Sequence, residues 1–260
     1  MKKIIILSIV FISASFVTNA QAGEAQEKMR PEETEYYAPI PQVITPGATF
    51  SDPPSDAIIL FDGKNLKQWI STKDSTSAKW TVADNVMTVN KASGDIQTKR
   101  TFTDYQLHIE YRIPANITGS GQARGNSGIF LAALPWGAGG YELQVLDNYK
   151  NPTYVNGQAG SIYKQTVPLV NACKKPGEWQ TFDVIWTAPQ FSRYGVLKSL
   201  ARVTVFHNGI LVQNNTTVLG DTPYIGHPSY RKHGPAPIKL QAHGDKSEPL
   251  SYRNIWVRPL

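Results

Sequence analysis

The hydrophobic pattern along the chain has the period of strands. The segments AIILF (57–61), KWTVADNVMTVN (79–90), YQLHIEYRI (105–113), SGIFLAAL (127–134), YELQVL (141–146), WQTFDVIW (179–186), ARVTVFHNGILVQ (201–213), IKLQAHG (238–244) and YRNIWV (252–257) are short and rich in β-branched and aromatic residues. Many alternate apolar with polar positions. Turn signals separate them: Asp62-Gly63, Asp84-Asn85, Asn208-Gly209, the glycine-rich run from Gly137 to Gly140, and many prolines. Asn208-Gly209 between VTVFH and ILVQ predicts a hairpin. No stretch of ten or more residues carries a helical stripe, and no internal repeat is present. The pattern predicts an all-β domain, a β-sandwich or jelly roll of two antiparallel sheets.

Two stretches fall outside this pattern. Residues 1–22 have the form of a secretory signal: Lys2 and Lys3, an apolar run from Ile4 to Val17, and the small-x-small site Ala20-Gln21-Ala22. The run is shorter than the ~20 residues of a spanning helix. Cleavage near Ala22 and a periplasmic or secreted protein without a membrane anchor are expected. Residues 23–56 are rich in Pro, Glu and Ser/Thr, with seven acidic and two basic side chains, and are expected to form an acidic surface arm. Residues 57–260 then make one domain large enough for a substantial core.

Charge changes this picture little. The formal +6 falls to +4 without the two leader lysines, and setting aside the −5 arm leaves +9 on residues 57–260. Lys and Arg are scattered, however, and no basic helix or nucleic-acid motif accompanies them, so neither nucleic acid nor a membrane is expected as partner. Cys173, the single cysteine, lies in a turn-like NACKKPGEW with no base beside it and reads as a bystander thiol.

The motifs LFDGKNLKQW (60–69), GQARGNSGIFL (121–131), YELQVLDNY (141–149), GQAGSIYKQ (157–165), KPGEWQTFDV (175–184), VTVFHNGILVQ (203–213), LQAHG (240–244) and YRNIWV (252–257) occur in this order. Together they resemble the 3-keto-disaccharide hydrolase family over nearly all of residues 58–260. The resemblance implies a concanavalin-like β-sandwich exported from bacteria. It also implies cleavage of glycosides whose sugar carries a ketone at C3, and a separate oxidoreductase upstream in the pathway. Relatives commonly have Leu-Gln-Asp-His-Gly where this chain has Leu240-Gln241-Ala242-His243-Gly244, so an Asp is missing and the His remains.

The strand YELQVL carries the candidate chemistry. Residues two apart share a face, so Glu142 and Gln144 point one way, ~6.6 Å apart, and Tyr141, Leu143 and Val145 the other. Asp147 joins Glu142 only if a bulge or bend breaks the alternation. A two-carboxylate glycosidase needs a second acid about 5.5 to 9.5 Å away, and Gln144 cannot be one. A 3-keto sugar needs less: its ketone acidifies the C2 proton, so one base, one acid and donors for the enolate suffice. Glu142 and His243 are expected to be the acid–base pair, and Arg124 and Tyr163 donors to the ketone oxygen. Gln144, Asp147, Asn126 and Trp136 are expected to hold the sugar, and Arg253 is a further candidate. Solvated sheet faces would also explain Glu142 and Gln144. Core burial would explain Trp136, and a sheet-edge role Arg253. His108, Glu110 and His207 are expected to be exposed. No cofactor is expected, and a structural calcium is compatible with the architecture. His227 and His233 with His243 and an acid offer a possible cation site, without close-spaced ligands. The readings to be separated are a 3-keto-glycoside hydrolase or lyase, a conventional glycoside hydrolase, and a non-catalytic carbohydrate-binding sandwich.

Overall fold

The computed structural model describes residues 28–136 and 139–260; the expected signal segment, 1–22, lies outside the described residues. The chain divides into a unit ending at Val43 and a second unit, Ile44–Leu260. In the first, residues 28–43 are exposed and extended apart from a 3-10 turn at Pro31–Thr34. Residues 44–56, read from sequence as the end of the acidic arm, fall in the second unit. There Ser51 O accepts hydrogen bonds from Asn254 Nδ2 (2.9 Å) and Trp256 Nε1 (3.0 Å), and Asp56 pairs with Arg258 at 2.6 Å.

The described residues form fifteen strands: β1 (Ile58–Phe61), β2 (Trp69–Ser71), β3 (Thr81–Ala83), β4 (Val86–Thr88), β5 (Ile96–Thr98), β6 (Tyr105–Arg112), β7 (Ser127–Ala133), β8 (Gly140–Val145), β9 (Trp179–Thr187), β10 (Gln190–Phe191), β11 (Leu197–Ser199), β12 (Ala201–His207), β13 (Ile210–Val218), β14 (Lys239–Leu240) and β15 (Ser251–Pro259). The large sheet runs β13-β12-β9-β6-β15-β4-β3, with β1 also paired to β15. The small sheet runs β2-β5-β14-β7-β8, and β10 and β11 form a separate hairpin. The pairings are antiparallel. The fold is thus the β-sandwich that the strand periodicity predicts.

Turn chemistry sets two hairpins. Asn208 (φ 53°) and Gly209 (φ 78°) close β12 onto β13, and Asp84 (φ 50°) and Asn85 (φ 60°) close β3 onto β4. Asn, Asp and Gly tolerate the left-handed region that such two-residue turns need. Between the sheets lies one core, to which Trp69, Tyr111, Ile129, Leu143, Phe182, Trp186 and Leu240 contribute. Strand β9 shows the alternation cleanly: Gln180, Phe182, Val184 and Trp186 are buried, and the residues between them are more exposed.

Three histidine-region expectations need correction. His108 and Glu110 are not exposed; they are 1% and 6% accessible. Parity does send them to the outer face of the large sheet, but that face is covered. His108 stacks on Trp256 with ring centroids 5.3 Å apart and bonds Asp183 at 2.7 Å, while Arg253 bonds Glu110 at 2.6 Å. His207 is fully buried. Its place in β12 puts it on the face of Val203 and Val205, where Nε2 meets Tyr111 Oη (2.9 Å) and Gln180 Oε1 (3.1 Å). Burial pushes its pKa down to about 3.

Candidate active site

The site is built on the face of the small sheet that turns away from the core. Tyr141, Leu143 and Val145 enter the core, so alternation sends Glu142 and Gln144 the other way. Register lays a row across the sheet: Gln97 opposite Lys239, Lys239 opposite Phe130, Phe130 opposite Glu142. In the next row Gly128 stands opposite Gln144. Gly128 is needed for space: a Cβ there would lie 3.0 Å from Cδ and Cγ of Glu142 and collide with its carboxyl oxygen.

Loops close against the outer edge of β8. Tyr163 N donates to Glu142 O, Gln144 N to Ser161 O and Gly160 N to Gln144 O, each at 3.0 Å. Glu142 N donates to Thr222 Oγ1 at 3.1 Å. The result is a carboxyl group on a residue only 5% exposed, whose oxygens accept no hydrogen bond from any described residue. Burial pushes its pKa up to about 8, with Lys239 pulling it back and Asp95 adding to the rise. Desolvation thus favours the protonated form of Glu142. Lys239 lies beside it in the row, with Nζ 3.5 Å from the centre of the Phe130 ring and 3.6 Å from Asp95.

Glu142 opens into a pocket of about 110 Å3, lined by Asn126, Phe130, Gln144, Tyr163, Tyr224, Gln241 and His243 as well. Strand β14 stops at Leu240, so His243 reaches the pocket from a loop rather than from the longer strand expected. Its Nδ1 lies 2.7 Å from Asp245 Oδ2. Burial raises the pKa of Asp245, but hydrogen bonds from Ser247, His243 and Lys91 outweigh it and hold the group ionised. A proton on Nδ1 would donate to this carboxylate, and the other ring nitrogen, Nε2, is then the one without a partner. Both N–H groups of Gln144 are committed, to Asn126 Oδ1 (2.9 Å) and Val145 O (3.1 Å), so its carbonyl is the free end. Asn126 donates in turn to Gln122 O at 2.8 Å. Gln241 Oε1 is buried without a partner among the described residues. Tyr163 Oη meets Tyr154 Oη at 2.6 Å, and burial keeps the Tyr163 phenol protonated.

Of the residues singled out in the sequence, the fold brings Glu142, His243, Gln144, Tyr163 and Asn126 together. It places the others elsewhere. Arg124 and Asp147 form a 2.6 Å ion pair in a separate depression with Ser120, Lys150 and Asn151. Arg124 also donates to Ile117 O at 2.9 Å. Arg253 belongs to the large sheet, 4.1 Å over the Trp179 ring and bound to Glu110. Trp136 is half-buried and packs on the core. The histidines do not converge: His233 bonds Tyr141 Oη at 2.9 Å, and no group of three His, Cys, Asp or Glu suited to a metal gathers among the described residues. Cys173 is half-buried and its thiol is pushed up to about 12 by burial. Sequence reasoning missed Asp245, Tyr224 and Lys239. Only Asp245 left a local signal, a carboxylate two residues after a candidate histidine in a turn.

The sequence model of the 3-keto-alpha-glucoside-1,2-lyase-like domain matches residues 56–258. A crystal structure of a candidate glycosyl hydrolase from Parabacteroides distasonis ATCC 8503 is 55% identical, with a TM-score of 0.83, covering 89% of this chain and 97% of that one. A second candidate glycosyl hydrolase from the same organism is 18% identical, with a TM-score of 0.56 over 79% of this chain and 94% of that one, and shares the fold. No curated protein matches the chain.

Proposed function

We propose, from the premise that the chain belongs to the 3-keto-alpha-glucoside-1,2-lyase-like domain family, that it is a carbohydrate-active enzyme cleaving 3-keto-glycosides by elimination. The observation that carries this reading is the meeting in one pocket of a buried Glu142, whose protonated form burial favours, with a His243 whose Nδ1 lies against Asp245.

The chemistry assigns Glu142 as the acid and His243 as the base. The ketone at C3 acidifies the hydrogen on C2, and His243 Nε2 removes it. The electrons pass into an enolate, whose oxygen is met by the Tyr163 hydroxyl and the Gln241 amide. Collapse of the enolate breaks the C1–O bond, and Glu142 gives its proton to the departing oxygen. Water then adds across the new C1–C2 double bond. The Gln144 carbonyl accepts from a sugar hydroxyl. Acid and base at this separation of roles each contribute roughly 10²–10⁴-fold.

A conventional two-carboxylate glycosidase fits less well, because Glu142 is the one carboxylate lining this pocket and Asp147 is committed to Arg124. The deciding experiment offers the protein a methyl glucoside and its 3-keto derivative, the latter with hydrogen or deuterium at C2. Cleavage of the keto form alone, slowed by deuterium, is expected. Cleavage of the parent glucoside at a similar rate, or turnover indifferent to deuterium, would overturn the reading.

A further inference from the structure

We propose that the tyrosine-lined rim of the pocket is a binding platform for the leaving group, and that it favours a flat aryl aglycone over a small alkyl one. The proposal rests on the reading of the pocket as a sugar site. That pocket, about 110 Å3, is far below the roughly 300–1,000 Å3 of sites that enclose a drug-sized ligand. It holds the reacting edge of one ring, and the rest of a glycoside must lie outside.

What lies outside is rich in aromatic side chains, with one lysine among them. Tyr224, 68% exposed, lines the mouth and is followed by Ile225, 85% exposed. Lys164 Nζ sits 4.4 Å from the Tyr224 ring centre and 5.7 Å from that of Tyr163, tying the two loops together. Tyr163 joins Tyr154, 42% exposed, through their hydroxyls. Lys164 holds a left-handed backbone, φ 59°, a region uncommon for lysine. Exposed aromatic and aliphatic groups gathered in one patch, unlike scattered ones, mark a contact surface. The amides that would hold hydroxyls, Gln144, Asn126 and Gln241, are inside the pocket; the rim offers tyrosine rings and the Ile225 side chain, with the Lys164 ammonium among them.

The test reads binding rather than turnover. Calorimetry in a Glu142→Gln background compares methyl and 4-nitrophenyl 3-keto-α-glucosides. The aryl compound is expected to bind about five- to tenfold tighter, as one aromatic contact supplies. In Tyr224→Ala this ratio should fall to nearly one, and in Tyr224→Phe, which keeps the ring, it should persist. Equal affinities in the parent, or a ratio that survives Tyr224→Ala, would overturn the platform. Binding without turnover by the wild type overturns the elimination reading alone, and no binding of either glycoside overturns both.

Discussion

The Asp245 carboxylate lies 2.7 Å from Nδ1 of His243 and is itself gripped by Lys91, at 3.1 Å, and the Ser247 backbone, at 2.7 Å. A base that is anchored on one side presents its other nitrogen in one direction and one tautomer. Asp245→Asn keeps the shape and removes the charge that selects the tautomer. It should lower kcat by between about tenfold and the ~10⁴-fold known for such a change in a hydrolase triad, with KM little altered. An unchanged kcat, with the melting temperature preserved, would remove the dyad from the chemistry.

Gly128→Ala separates folding from catalysis. The added Cβ meets the Glu142 side chain, its carboxyl first, rather than backbone. The fold should survive with a loss of about 1–3 kcal/mol from overpacking, while the displaced carboxyl lowers kcat/KM at least tenfold. Thermal melts beside initial rates read both.

The raised pKa of Glu142 carries a pH signature of defined sign. As the acid, it is active while protonated, so kcat/KM should decline as pH rises through about 8. For stability, the unfolded chain releases this proton near 4.5 and the folded chain only near 8. Stability from this group is therefore full below pH 4.5 and is lost as pH climbs to about 8. Glu142→Gln cannot ionise, so its urea midpoint relative to wild type should rise between pH 5 and 9. A difference independent of pH would show that Glu142 is ionised in the folded protein.

Arg124 offers the opposite case. Its guanidinium neutralises Asp147, which is buried, at 2.6 Å. Arg124→Ala should destabilise by about 1–3 kcal/mol, the usual cost of stranding a buried carboxylate reduced for Arg124's partial exposure. Replacing Asp147 by Asn in the same chain should restore much of the loss. Activity lost in the single variant but recovered in the pair would mark the ion pair as structural; activity lost in both would return Arg124 to the substrate.

The sequence speaks clearly where physics is local. Period-two alternation places Glu142 and Gln144 on one face, and Asn208-Gly209 makes its hairpin, because each depends on neighbours a few residues away. Parity also says which face His108 takes, but not that Trp256 and the segment around Ser51 cover it, since that is decided by chain about 60 to 150 residues distant. Arg124 and Asp147 look alike on paper to Gln144 and His243. What distinguishes them is that β8 ends at Val145, after which the chain leaves the sheet and pairs Asp147 with an arginine. Tyr224 and Lys164 carry no periodic signal because they come from loops whose approach is set by the sheet beneath them.

The loop hydrogen bonds to Glu142 and Gln144 have a second consequence. Strand β8 is the last in its sheet, so its outward amides and carbonyls would otherwise be free to recruit another chain. Residues 160–163 and Thr222 occupy them instead. The same loops carry Tyr163 and lead to Tyr224. Reshaping them to admit a new substrate therefore also uncovers a sticky sheet margin, and variants selected for altered specificity at this rim should be screened for aggregation as well as for rate.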